Sequence, residues 1–223
     1  MTLDIRKETY TDLVATYIKK CILNGTYKAG SKVKELVIAQ KLSISRAPIR
    51  EALQVLIKEG LVVWIPQKGK FIAELSPEQI RDSYFAGGIL EAAAVSAIIH
   101  RYTAKDINQL EVIADGMLGA TETNDPMEAM AQLDDKFHKV LFSRIENELI
   151  IEFWGRSCQG LRKFLLFPYW VKLYTAYEVY MRHKVIVDAL KSGDAGELEK
   201  EIRHHYFDDG ERMFVVSKER QEE

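Results

Sequence analysis

The chain is predicted to be mainly α, with an N-terminal winged helix-turn-helix (three helices plus a β-hairpin wing) followed by an all-α antiparallel helical bundle. Three observations lead to this class. Pro or Gly stands at the breaks between the short elements of the first 75 residues, at Gly25, Gly30, Gly60, Pro66 and Gly69. Paired β-rich runs, "LVVWI" and "KFIAEL", occur once, separated by "PQKG", which is the signature of a small hairpin. Charge divides at the same place: residues 1–75 carry 13 Lys+Arg against 7 Asp+Glu and the remainder 18 against 26, although the whole chain sums to −2. The predicted boundary separates 1–75 from 76–223.

Each element has a local reason. Residues 8–24 carry a broad apolar face at helical spacing and stop at Asn24-Gly25. "KELVIAQKL" is a short second helix with Leu36, Ile38, Ala39 and Leu42 assigned to its inner face. Ser45 is placed as N-cap of a third helix running to about Glu59, with Gly60 as its stop. Beyond Ser76 the pattern is helical throughout. Ser76-Pro77 sets a cap and then proline at the first helical position, for a helix reaching about His100. Thr103 opens the next, to about Glu122, and Asp125-Pro126 a third, to about Arg144. Asn147 caps a helix expected to reach Leu166, Pro168 starts or kinks the one running to Lys191, and Asp194 caps the last, to about Val216, with "SKERQEE" expected to fray.

At 223 residues, 47% hydrophobic and 29% charged, the chain has material for a substantial core. No run of about 18 apolar residues exists, so no membrane association is expected, and an N-terminus without a hydrophobic segment points to the cytoplasm. Cys21 and Cys158 lie far apart, and both are read as reduced core thiols.

A basic module fused to an acidic one fits a protein that meets nucleic acid through its front part. In a helix-turn-helix the second helix of the pair lies in the major groove and its N-terminal residues reach base edges. That geometry requires long donor side chains at the helix start and an apolar face behind them. "SISRAPIREALQVLIKEGLV" has both: Arg46 and Arg50 stand four apart on one face, and Leu53, Leu56, Ile57 and Leu61 supply the buried one. Guanidinium groups chelate guanine O6 and N7 through two parallel hydrogen bonds. At the hairpin tip, Lys68-Gly69-Lys70 offers glycine for close approach and lysine for phosphate or minor groove. The alternative is that both arginines are merely solvated, with Glu51 as a nearby partner.

The string from Gly25 to Ile72 resembles the N-terminal domain of GntR-type transcriptional regulators. The resemblance rests on Gly25, Gly30, Glu35, Ile38-Ala39, Ser45-Arg46, Pro48, Arg50-Glu51-Ala52-Leu53, Leu56, Glu59-Gly60-Leu61 and Gly69. It implies that Arg46 and Arg50 read bases, that Ser45 and Ala47 lie at the DNA surface, and that the Lys68-Gly69 tip enters the minor groove of double-stranded operator DNA. Leu36 stands where some relatives carry a DNA-contacting arginine, and Ala47 replaces a common threonine.

All five histidines follow residue 99. In "LDDKFHKVLF", Asp134 and His138 are one helical turn apart, with Asp135 as the alternative partner. His183 aligns with Val179, Ile186 and Leu190, and His205 falls on the stripe Leu198, Ile202, Tyr206 and Asp209, whereas His204 points about 100° away. One Asp and three His from three helices can thus face one interior, where a cation would offset the cost of a buried carboxylate. Such a donor set suits Zn²⁺ or Ni²⁺ first, with Mn²⁺ a further candidate, either closed and tetrahedral or octahedral with two open positions.

The segments "LDDKFHKVLFSRIENELI" and "HKVIVDALKSGDAGELEKEIRHH" resemble the FCD effector-binding domain of GntR regulators, over about residues 76–217. The resemblance implies a divalent metal held by Asp134, His138, His183 and His205, a small carboxylate effector approaching it, and a homodimer. Gly87 stands where relatives often carry an arginine, so Arg162 is the candidate replacement, beside Glu91 and Asn147, in the effector pocket. The expected function is a ligand-responsive regulator, most simply a repressor released by its metabolite. A direct metal sensor is the first alternative. A metal-dependent enzyme acting on a small acid is the second, weakened because no separate general base, nucleophile or phosphate-cradling loop is found.

Overall fold

A computed structural model describes residues 9–123, 126–159, 165, 170 and 173–222. The chain forms two compact units, Met1–Glu74 and Leu75–Glu223. In the first, α1 (Tyr10–Leu23) starts at Thr9, whose hydroxyl accepts from Asp12 N–H while the Asp12 carboxylate accepts from Thr9 N–H. α2 (Glu35–Leu42) ends at Ser43 in the left-handed region. α3 (Arg46–Lys58) buries Ile49, Ala52, Leu53 and Leu56, and packs against Val14 and Ile18 of α1 in the unit's core. Ser45 takes the extended N-cap backbone but makes no capping hydrogen bond through its side chain.

The wing is the two-stranded antiparallel sheet of β1 (Val62–Ile65) and β2 (Gly69–Ile72), with Val62 opposite Ile72 and Ile65 opposite Gly69. Its turn closes by Lys68 N–H donating to Ile65 C=O at 3.1 Å, with Gln67 at φ 63° after Pro66, the arrangement of a type II turn. One expectation fails in α2. Ile38 and Ala39 are buried, but Leu36 is exposed, because Glu35 takes the inward position at the helix start and Leu36 is rotated about 100° from it.

The second unit is helical throughout its described residues: α4 (Pro77–Ala97), α5 (Ala104–Gly119), α6 (Pro126–Phe142), α7 (Glu148–Trp154), α8 (Ala176–Ser192) and α9 (Ala195–Glu222). Capping boxes start α4 at Ser76 with Gln79 and α5 at Thr103 with Asp106. Three boundaries differ from the sequence expectation. The helix after Asn147 changes at Gly155 into a π-turn, Gly155–Gln159, where the poorest helix former of the segment allows the backbone to widen. α8 starts at Ala176 rather than near Pro168, because Thr175 and Glu178 form a capping box; Pro168 itself lies outside the described residues. α9 does not fray at Val216 but continues to Glu222 on a run of good helix formers.

α4 and α9 run antiparallel and make the most extensive helix pair of this unit. Their closeness depends on two glycines. A Cβ on Gly88 would stand 2.7 Å from Tyr206 Cβ, and one on Gly210 would stand 2.8 Å from Tyr84 Cβ. Phe85 stacks on Phe207 at 5.0 Å between these points. Because the obstructing atom is the root of a side chain, Gly88→Ala forces the backbones apart. We expect it to lower unfolding free energy by about 1–3 kcal/mol in urea titration, while Gly119→Ala, with nothing within 4 Å, leaves stability unchanged or slightly higher. Equal stability of the two variants would refute the close-packing account.

Candidate metal centre and nucleic-acid interface

In the helical unit, α6 supplies Asp134 and His138, α8 supplies His183 and α9 supplies His205. All three histidines are buried, and one ring nitrogen from each lies within 4.8 Å of the others. Asp134 Oδ1 is 3.4 Å from His183 Nε2 and 3.7 Å from His138 Nε2. Phe137, fully buried, meets the His183 ring edge-on at 4.7 Å and closes one side.

Hydrogen bonds on the far side of two rings determine which nitrogens face inward. His183 Nδ1 donates to Val179 C=O at 2.8 Å, which turns its Nε2 toward Asp134. His138 Nδ1 contacts Glu91 Oε1 at 2.7 Å, leaving Nε2 toward Asp134. Anchoring of this kind, ring N–H to a carbonyl or carboxylate, characterises metal-ligating histidines. Two buried nitrogens in the cluster, His183 Nε2 and His205 Nδ1, have no hydrogen-bond partner. Buried polar atoms without partners are costly. A divalent cation would satisfy them, so the residues present fit the expected ion.

The electrostatics agree. Burial would lower the His138 imidazole, but Glu91 and Asp134 outweigh it and hold the ring well above its ordinary range. Burial would raise Asp134, yet His138 and His183 hold it well below the usual carboxylate range. For His205, burial acts first and the neighbours His183, Arg182 and His138 add to it, holding the ring well below its ordinary range. One proton on His138 therefore occupies the charge environment a cation would use.

Glu91, expected in an effector pocket, is fully buried, and both its oxygens are engaged: Oε1 by His138, Oε2 by Trp154 Nε1 and Tyr206 O–H, each at 2.7 Å. Its carboxylate thus links the His138 ring to α7 and α9. Asn147 is exposed, and its side-chain oxygen accepts the N–H groups of Leu149 and Ile150 at the start of α7. Arg162 lies outside the described residues. The sequence reading missed Trp154 and Tyr206 as partners of Glu91. The available signal was a lone carboxylate inside the apolar, small-residue run "AGGILEAAA", which must find donors if buried.

Arg182, next to His183, ties α8 to α9 by pairing with Asp208 at 2.6 Å, with Asp209, and with the backbone carbonyl of His205 at 2.8 Å. Trp170 and Tyr174 donate to the same Asp209. Between α8 and α9 a cleft of about 250 Å³, lined by Met181, Val185 and Glu201 among others, reaches His205 from outside.

In the first unit, Arg46 and Arg50 occupy the start of α3 with side chains 53% and 60% exposed. Ala47 is exposed beside them, and Ser45 precedes them. Lys68 is exposed at the wing turn, and Gly69 follows at φ 111°, where a side chain would be strained. The arginines do not pair with Glu51, whose carboxylate accepts from Thr11. Both contact Glu35 Oε2 at 3.0 Å, and Lys70 contacts Glu35 Oε1 at 3.0 Å. Burial would raise Glu35, but Arg50, Lys70 and Arg46 outweigh it and hold the carboxyl down at about 2.

No helix among the described residues is long and apolar enough to cross a membrane. Residues 11–72 match the bacterial regulatory proteins of the gntR family, and residues 82–208 match the FCD domain. The uncharacterized HTH-type transcriptional regulator YdhC of Bacillus subtilis is 25% identical over 205 residues, covering 92% of this chain and 91% of that protein. The gluconate operon transcriptional repressor of the same organism is 26% identical over 200 residues, covering 88% and 81%. Among solved structures, Escherichia coli McbR/YncC shares the fold with a TM-score of 0.73 at 19% identity, over 96% of this chain and 99% of that one. A GntR transcriptional regulator from Rhodococcus sp. RHA1 gives 0.71 at 23% identity, over 91% and 96%. Regulators of transcription, not enzymes, share both its sequence pattern and its architecture. The chain belongs to the GntR family of transcriptional regulators and carries an FCD domain behind its helix-turn-helix.

Proposed function

We propose that this regulator is a homodimeric repressor that binds operator DNA through α3 and the wing, and is released by a small carboxylate metabolite held near a divalent metal. The observation carrying the DNA half is the pair of exposed guanidiniums at the start of a helix whose opposite face is completely buried. A pseudo-palindromic operator would then present half-sites to two such helices. Repression is supported by the relative named for the gluconate operon, the operon of a sugar acid. The metal half rests on the two orphaned buried nitrogens among three histidines and Asp134. Zn²⁺ or Ni²⁺ suits this donor set best, Mn²⁺ less well. When bound, such an ion supplies positions to which an oxygen donor of a metabolite attaches. The chain's own residues hold the rings in register, through Glu91 and Val179, and exclude water with Phe137.

Direct metal sensing is a second reading, favoured by one observation: the donors come from three separate helices, so occupancy by the ion itself pulls α6, α8 and α9 together.

Two outcomes are expected. On a duplex selected from a random pool by the unmodified protein, Arg50→Ala loses roughly tenfold or more in affinity, the scale of one guanine chelate, and binding of the unmodified protein weakens steeply with salt. Equal affinity of the variant would remove α3 as the reading helix. For the metal, chelator-stripped protein back-titrated with Zn²⁺ in two buffers of different ionisation enthalpy should release about one proton at neutral pH. The sign follows from His138: its ring is held protonated without the ion, and ligation needs it neutral, so affinity rises with pH. His183→Ala abolishes retention. Proton-silent uptake, unaffected in that variant, would refute this centre.

A further inference from the structure

Glu35 is an acid on a surface otherwise arranged to meet phosphates. Its carboxylate joins three elements of the first unit: α2, on which it stands, α3 through Arg46 and Arg50, and β2 of the wing through Lys70. Exposed ion pairs contribute little to stability, and both arginine side chains are more than half exposed, so holding the fold together accounts for the sheltered Lys70 contact but not for the two arginines. The atoms used are informative. Arg50 meets Glu35 through Nε at 3.0 Å, which leaves its Nη1/Nη2 edge free, an edge able to chelate guanine O6 and N7. Arg46 meets the same oxygen through Nη2 at 3.0 Å, with Nε and Nη1 uncommitted to it. Lys70 lies only 15% exposed against the other oxygen. An aliphatic guanidinium has several rotatable bonds, and a shared acceptor removes much of that freedom before DNA arrives.

The geometry points to Glu35 as a positioning residue for operator readout, which holds the Nη1/Nη2 edge of Arg50 outward, restrains Arg46 beside it, and keeps all three cations from indiscriminate phosphate contact. Its contribution is to discrimination, at the expense of general affinity. A negative charge here repels the backbone of every duplex equally. The orientation it imposes rewards only duplexes with guanines at the matching positions. The inference rests on the reading of α3 as the recognition helix.

The test compares unmodified protein, Glu35→Gln and Arg50→Ala on two duplexes, one selected from a random pool by the unmodified protein and one of scrambled sequence, across a series of salt concentrations. Glu35→Gln should bind the scrambled duplex several-fold more tightly and lower the selected-to-scrambled ratio by roughly tenfold. Its salt slope on scrambled DNA should steepen by up to about one unit as freed cations reach phosphate. A merely structural role would weaken both duplexes in proportion, and that result, or an unchanged ratio, overturns the proposal. Arg50→Ala separates this failure from failure of the underlying reading. If it also keeps the full ratio, α3 does not read DNA and the proposal falls with it. If it loses the ratio while Glu35→Gln does not, only the role of Glu35 is lost. Should the Gln variant fail to fold by circular dichroism, Glu35→Asp serves instead. It keeps the charge but is one methylene short, so the ratio should fall with scrambled-duplex affinity near that of the unmodified protein. A full ratio in Glu35→Asp overturns the proposal.

Discussion

Burying a carboxylate at the centre of a helical bundle is the constraint on which the second unit depends. Glu91 is fully buried, and an uncompensated charge there would cost several kcal/mol. The structure satisfies it with three donors from three other helices: His138 on α6, Trp154 on α7 and Tyr206 on α9. Each bond supports the fold and the centre together. The donor from α6 has its imidazole plane set by Glu91, and Tyr206 follows directly after His205. Trp154 is itself stacked on Phe142 at 3.8 Å, at the end of the helix that carries His138. Moving Glu91 would therefore disturb the His138 ring and, through Tyr206, the neighbourhood of His205.

The first unit solves the opposite problem. There the cations are exposed and one carboxylate is half-hidden among them, held near a pKa of 2 and so ionised across any physiological range. The two units thus use acidic side chains in contrasting ways. In the bundle a buried acid fixes an imidazole, an indole and a phenol of three helices. In the winged unit an acid at the surface organises cations of the chain itself. The near-neutral total charge conceals this division, which appears only when the chain is split near residue 75.

Much of this could be read from residue order, because it is local. The hairpin, the Ser76-Pro77 start and the stripe that places His205 inward and His204 outward are all decided within a few residues. The α8 boundary is local too: Thr175-Ala-Tyr-Glu178 is a capping box, a stronger start signal than the proline seven residues before it. The hidden parts were long-range pairings. Nothing in the spacing of Glu91 names Trp154 or Tyr206, which lie 63 and 115 residues away. Glu35 was noted as part of a motif, but its hold on Arg46, Arg50 and Lys70 arises only when α2, α3 and the wing are assembled. Leu36 shows the same limit in reverse, since in an eight-residue helix the pattern does not show which face Glu35 claims.

The paired glycines of α4 and α9 bear on how a local event becomes a distant one. With Gly88 against Tyr206 and Gly210 against Tyr84, the two rods have no slack along which to slide independently. Arg81 lies over the Phe214 ring at 4.8 Å, extending the contact toward the first turns of α4. His205 and Phe214 belong to one unbroken helix, about 14 Å apart along its axis. A tilt imposed at the imidazole thus reaches the amino-terminal end of α4 as rigid-body leverage, with no flexible relay between them.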